Sequence, residues 1–408
     1  MEPRYPVIAA FLDGLREGQL LLLPDERRRH LYIVGRSGSG KSTLLYNLAL
    51  TDMMEGAGLA VIDPHGDLAH DLIDAVPPRR TEQVCYLNAA DREYLVGFNP
   101  FSGVAPERRA LAASGMVSAF KSIWFESWGP RFEWFLYCGL AALLERPDAT
   151  LYDLPRLYVD DGFRERATAN IGDSKVRDFW RVEYPSYNDR YREDAMGPIL
   201  NKVDQFLASP AVRGIICQRH PKLDLAHAMD NRQILIINLA KGLIGEAPAN
   251  LLGSLIISHL KHTAMARADR PVHERSDFHV HVDEFQSFGT DAFEKLLSEA
   301  RKYGICLTLA HQFTQQLLPS VRAAILGNAG TMIAFRVGIE DAQLLAPEFH
   351  PLPPEELSDQ FPHHAWIKRG QFLAHFPIET QPQQPIYSGR RAVVVERSRR
   401  RFGRRYAP

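Results

Sequence analysis

Residues Gly35-Arg36-Ser37-Gly38-Ser39-Gly40-Lys41-Ser42 follow the apolar run Leu31-Tyr32-Ile33-Val34 and precede Thr43-Leu44-Leu45-Tyr46-Asn47-Leu48-Ala49-Leu50. The spacing GxxxxGK[ST], set between a strand and a helix, is that of a phosphate-cradling loop. Glycine lets the backbone wrap tightly with its N–H groups turned inward, which suits a polyphosphate. The helix that follows adds the positive end of its dipole. Gly35, Ser37, Gly38, Ser39, Gly40, Lys41 and Ser42 are therefore expected to bind ATP. Lys41 would reach the β- and γ-phosphates, and the Ser42 hydroxyl would hold Mg2+.

Outward from this loop, short apolar runs alternate with helical patterns. His30–Val34, Gly58–Ile62 and Gln83–Leu87 read as strands, and Lys41–Met53 as a helix. That alternation predicts an α/β fold with a mostly parallel central sheet. From Phe98-Asn99-Pro100 onward the character changes. Arg108–Ile123, Arg131–Glu145 and Ala195–Leu207 have helical periodicity and point to an inserted all-helical domain. Strand character returns at Gln233–Asn238, Phe278–Val282, Ile305–Ala310 and Thr331–Arg336, with helices over Ala249–Arg267, Asp291–Tyr303 and Ala323–Asn328. The expected division is an N-terminal extension (1–29, a helix over Val7–Arg16 and a strand over Gln19–Leu23) and a discontinuous α/β body (30–105 and 229–388). The helical insertion occupies 106–228, and an arginine-rich tail 389–408. The tail has eight arginines against one acid from Arg390 on and is expected to be at least partly disordered.

A second motif, Phe278-His279-Val280-His281-Val282-Asp283-Glu284, is an apolar strand ending in two acids. Asp283 would bind Mg2+ through water, and Glu284 would polarise the attacking water. The run Ile305-Cys306-Leu307-Thr308-Leu309-Ala310-His311-Gln312 is a strand ending in a polar amide, and Gln312 is read as a sensor of the γ-phosphate or as a turn glutamine. Arg301 fits either an arginine finger acting on a neighbour's nucleotide or an exposed helix-end arginine. Asp63, after Gly58–Ile62, is placed beside the nucleotide-loop strand and could stand near the phosphates. Asp67 is read as the cap of the helix that follows. Trp124, Trp128 and Trp134 could stack on bases, but their helical spacing favours the core.

The chain has 408 residues, 45% hydrophobic and 24% charged, with a formal net charge of -1. Two domains are the natural expectation. The surface as a whole does not attract polyanions, so nucleic-acid contact must be local. Cys85, Cys138, Cys217 and Cys306 are scattered and form no CxxC pair, as expected of buried thiols in a reducing cytosol. His363-His364 reads as a surface pair in a loop. No apolar stretch is long enough to cross a bilayer, so the expectation is a cytoplasmic chain without direct membrane insertion, associated with a membrane through a partner if at all.

The segments GRSGSGKS, AVIDPHGD, HVDEFQSF, ARKYGICLTLAHQFTQQL and GNAGTMIAFRVGIEDAQLL occur in the order seen in type IV secretion coupling ATPases. These are the TraG/TraD-type conjugative DNA-transfer proteins of the FtsK/HerA superfamily, and the chain resembles them from about residue 28 to 378. The insertion, with WGPRFEWFL and PILNKVDQFLASPAVRGI, is similar to the family's all-alpha domain. The resemblance implies a RecA-like P-loop core and a homo-oligomeric, hexameric ring. It implies ATP-driven pumping of single- or double-stranded DNA, in contact with a relaxase complex or a secretion-channel component. Carried over by position, it makes Lys41 and Ser42 Walker A, Asp283 and Glu284 Walker B, Gln312 the sensor and Arg301 the arginine finger acting in trans. The membrane-bound relatives carry N-terminal transmembrane helices and this sequence has none, which leaves the link to a channel open. Three other readings stay open: a secretion or pilus-assembly ATPase that moves protein, a HerA-type DNA-processing or defence ATPase, and an ATP-controlled recruitment module.

Overall fold

The computed structural model describes residues 7–13, 16–288, 291–370, 375–383 and 388–406. Thirteen strands are described: β1 (Val7–Asp13), β2 (Arg16–Leu21), β3 (Leu31–Val34), β4 (Gly58–Asp63), β5 (Val84–Asn88), β6 (Tyr94–Val96), β7 (Ile234–Asn238), β8 (Phe278–Val282), β9 (Ile305–His311), β10 (Thr331–Phe335), β11 (His364–Arg369), β12 (His375–Thr380) and β13 (Gly403–Arg405). Eleven of them form one sheet in the order β2-β1-β12-β11-β10-β3-β9-β8-β4-β7-β5. From β10 to β7 every pairing is parallel, and β11, β12, β1 and β2 extend the sheet antiparallel. The parallel strands are buried along their whole length, as strands covered on both faces must be. The expected α/β fold with a mostly parallel sheet is what the chain adopts.

The first five helices of the chain are α1 (Pro24–Arg28), α2 (Lys41–Glu55), α3 (Asp67–Asp74), α4 (Arg109–Ile123) and α5 (Pro130–Leu144). Helix α2 starts after Gly40 and stops at Gly56, both with positive φ (115° and 80°), conformations that cost glycine no Cβ clash. Its Leu44, Leu45 and Leu48 pack with Leu31 and Ile33 of β3 and Leu59 and Val61 of β4 in one core. Behind this core lies a buried ionic group. Arg27 of α1 and His281 of β8 both bond the Asp52 carboxylate of α2, Arg27 Nη2 and His281 Nε2 each at 2.8 Å from Oδ2.

The chain divides into two compact units: Met1–Tyr86 with Leu225–Asn238 and Ala264–Ser398, and Leu87–Asp224 with Leu239–Thr263 and Arg399–Pro408. The second unit is mainly helical. Phe135, Phe179, Trp180 and Tyr184 form its aromatic centre, and β6 pairs antiparallel with β13.

Four expectations are corrected. The segment expected to be a helix over Val7–Arg16 forms β1 and the start of β2. The alternation in Val7-Ile8-Ala9-Ala10-Phe11-Leu12 is too weak to choose, and pairing with β12 decides. The arginine-rich end is ordered. Arg391–Phe402 is a helix, the Asp74 carboxylate accepts the N–H groups of Gly389, Arg390 and Arg391 at 3.0, 2.9 and 2.9 Å, and Val394 enters the core of the first unit. Charge content concealed a short apolar stripe that reaches that core. Trp124, Trp128 and Trp134 are half-buried rather than core. Cys217 is likewise half-buried, while the other three cysteines are buried and all four are free thiols.

Candidate nucleotide-binding site

Parallel register brings the motifs to one edge of the sheet. Val34 of β3 lies opposite His311 of β9 and Ala334 of β10, and Val282 of β8 opposite Leu309 of β9 and Ile62 of β4. The glycine loop, Gln312 and Asp283 therefore all leave the carboxyl ends of neighbouring strands, where open α/β sheets bind ligands. β9 stands between β3 and β8, which sets Gln312 between the loop and the acids. Asp63 does not lie beside the loop strand: β9 and β8 separate β4 from β3.

The loop is shaped by its glycines. Gly38 and Gly40 have φ of 74° and 115°, and a Cβ on Gly35 would come within 2.6 Å of Phe335 Cβ. Lys41 folds back over it, its ammonium donating to Gly35 O at 2.6 Å and Arg36 O at 3.0 Å. Burial lowers the Lys41 pKa, against the opposing pull of the Glu284 and Asp283 charges. The Ser42 hydroxyl donates to Asp283 Oδ2 at 3.2 Å.

Asp283 is buried, and its carboxyl is pushed up to about 6 by that burial and by the neighbouring Asp63 and Glu284 charges. Glu284 adopts a left-handed φ of 47°, which costs a non-glycine residue on the order of 1–3 kcal/mol. Its carboxylate is held from both sides: Gln312 Nε2 donates to Oε1 and Gln286 Nε2 to Oε2. The structure thus brings Lys41, Ser42, Asp283, Glu284 and Gln312 together. A hydroxyl beside a crowded carboxylate is the hard-oxygen donor set that Mg2+ takes. Among the described residues no cluster of three or more His, Cys, Asp or Glu could hold a metal ion, so the nucleotide's own phosphates would have to complete the shell. Ser39 Oγ and His363 Nδ1, buried at the loop, have no hydrogen-bond partner among the described residues, as expected of groups that meet a ligand.

Two aspartates behave differently from expectation. Asp63 spends both oxygens on its own chain, Oδ1 accepting from His65 N–H and Oδ2 from Ala69 N–H, each at 2.9 Å. It therefore caps α3. Asp67, the expected cap, is the first residue inside that helix, after Gly66. The Asp63 charge also reaches the site, helping to raise the Asp283 carboxyl. Arg301 lies on the short helical turn Ala300–Tyr303 that precedes β9. It is exposed, and the seven residues of β9 separate it from Gln312, about 20 Å at strand rise.

Sequence reading missed several contributors. His363 donates its N–H to Ser39 O at 2.9 Å and rests on Gly40. The pair His363-His364 carries no spacing that reveals this. Gln286 was discoverable in principle as the amide two residues after Glu284. Asp341 fixes the segment after Gln312 by accepting from Thr314 N–H at 3.0 Å and from its hydroxyl.

Residues 277–346 match a family described as the TraM recognition site of TraD and TraG. Among solved structures, the plasmid coupling protein TrwB in complex with the ATP analogue ADPNP is similar at 15% identity and a TM-score of 0.66. That match covers 95% of this chain and 96% of that one. TrwB with ADP and Mg2+ is similar at 15% identity and a TM-score of 0.65, covering 94% and 96%. VirB4 of Thermoanaerobacter pseudethanolicus is similar at 13% identity and a TM-score of 0.60, covering 93% and 97%. Comparison with curated proteins by sequence gives no match. The resemblance to the TraG/TraD-type coupling proteins is borne out by the match over residues 277–346, and the fold is similar to that of TrwB and VirB4. Among the described residues no helix is long and apolar enough to cross a membrane.

Proposed function

We propose that this chain hydrolyses ATP to drive DNA through a homo-oligomeric ring during conjugative or mobile-element transfer. The observation that carries the proposal is the convergence of Lys41, Ser42, Asp283, Glu284 and Gln312 at one sheet edge. Lys41 supplies positive charge to the phosphates once its ammonium leaves the carbonyls of Gly35 and Arg36. Ser42, and Asp283 through water, would hold Mg2+, which would neutralise charge on the transferring phosphoryl group. Glu284, fixed between two amides, accepts a proton from the attacking water and aligns it. Gln312 bonds the same carboxylate, so a change at the γ-phosphate is felt directly at the end of β9.

Arg301 stands too far along β9 to serve its own nucleotide, which favours action on a neighbour's. In a ring, such a trans cation stabilises charge in the transition state and ties one subunit's hydrolysis to its neighbour's position. The segment 277–346 suits contact with a relaxase-associated partner of the TraM kind, since the family it matches is described by that recognition. The place of work remains cytoplasmic, with any membrane contact made through a partner.

Translocation is tested by displacement of streptavidin from an end-biotinylated oligonucleotide. ATP should accelerate release on single or double strands, and a non-hydrolysable analogue should not. Equal release with and without ATP would contradict the motor. ATP hydrolysis stimulated by a partner protein but never by DNA would favour protein export.

A further inference from the structure

We propose that the corner between α4 and α5, in the mainly helical unit, is a pocket for an unpaired base of single-stranded DNA. It rests on the reading of DNA as the cargo. A cavity of about 770 Å³ opens there, and Phe125, Trp128, Trp134, Tyr137, Lys121 and Glu133 contribute to its wall. Phe125 is 71% exposed, an unusual position for an aromatic ring that has nothing to cover. Trp134 and Tyr137 stack on one another, their planes 13° apart and their ring centres separated by 5.8 Å, and both line the cavity. Trp128 Nε1 donates to Glu133 Oε2 at 2.5 Å, and Lys121 Nζ approaches the same oxygen at 3.4 Å. That contact fixes the Trp128 ring and sets one cation at the edge of an aromatic floor.

Size and charge select the occupant. An ammonium group is too small to fill this volume, and the Glu133 oxygen that would attract it is already bonded by Trp128 and Lys121, which disfavours an aromatic cation cage. A planar base can stack on the aromatic rings that line the cavity, and stacking of this kind tolerates any sequence. Lys121 can then meet the backbone phosphate beside the base. The pocket would hold one or two bases and give the helical unit a grip on an unwound strand, independent of the nucleotide site.

The test compares fluorescence anisotropy of a labelled oligothymidylate with that of an abasic strand of equal length, using the full chain. Wild type should bind the abasic strand roughly tenfold more weakly. Phe125→Ala, whose side chain is exposed and need not disturb folding, and Tyr137→Leu should each shrink that preference. The dependence on salt should stay unchanged. Equal affinity for the two strands, or an undiminished preference in both variants, overturns the pocket and leaves the motor reading intact. Binding of duplex but no single strand has the same meaning. Binding of neither DNA removes both. Quenching of tryptophan fluorescence by an aromatic-rich peptide, with none by the oligonucleotide, would assign the cavity to a protein partner and overturn the proposal.

Discussion

The Ser42 hydroxyl donates a hydrogen bond to Asp283 Oδ2 at 3.2 Å across 241 residues of sequence. This contact joins the start of α2 to the end of β8 and pairs the hydroxyl and carboxylate that would hold Mg2+. Asp283→Asn keeps the shape and removes the charge. Nucleotide affinity in the presence of Mg2+ should fall about 10- to 100-fold, the usual scale for a residue that orients a metal's shell. Affinity in EDTA should change little. Calorimetric titration with ADP checks both, and equal loss with and without metal would contradict the assignment.

Arg301 is exposed at the far end of β9 from Gln312. Arg301→Ala should lower kcat by about 10³-fold or more while nucleotide binding persists. Mixed with Glu284→Gln subunits it should regain activity, because some interfaces then pair an intact Glu284 with an intact Arg301. Failure of the mixture to exceed either variant alone would argue against action in trans.

The arginine-rich end is part of the folded body. Val394 sits in the core, and the Ser398 hydroxyl accepts the Tyr86 N–H at 2.8 Å. Val394→Asp buries an unpaired charge and should cost about 3 kcal/mol or more. Its Tm should fall by on the order of 10 °C. A Tm within a degree or two of wild type would show the helix to be dispensable.

Acid should weaken the fold above the usual carboxylate range, with the raised carboxyl of Asp283 acting in the opposite direction. Burial holds His30 and His259 down to about 4, and His262, His279 and His311 down to about 3. Between those values and 6.5 the unfolded chain binds more protons than the folded one, so stability falls as pH drops below 6.5. Each unit of difference is worth roughly 1.4 kcal/mol. Thermal melts at pH 7.5 and 5.5 check this, with a clearly lower Tm expected at 5.5. An unchanged Tm would contradict it.

What the sequence revealed followed the locality of each signal. The glycine loop and the strand ending in Asp283-Glu284 encode their geometry within a few residues, so their chemistry was legible. Gln312 needed both the resemblance and the insertion of β9 between β3 and β8 before its bond to Glu284 could be seen. Asp63 was misplaced because strand order is a long-range property: two strands that come late in the chain separate β4 from β3. His363 reaches the loop only through the return of β11 along β10, and Val7–Asp13 becomes a strand by pairing with β2 on one side and residues 378–380 on the other. The arginine-rich end misled because composition outweighed two valines, Val394 and Val395, that pack on the core.

Hydrolysis itself is the most direct test. Phosphate release by the full chain with Mg2+ and ATP, with and without DNA, is compared between wild type and Glu284→Gln. The account predicts turnover that DNA stimulates in wild type, and loss of about 100-fold or more in the variant, with nucleotide binding retained. Turnover in Glu284→Gln equal to wild type, or indifference of the wild type to DNA, would contradict it.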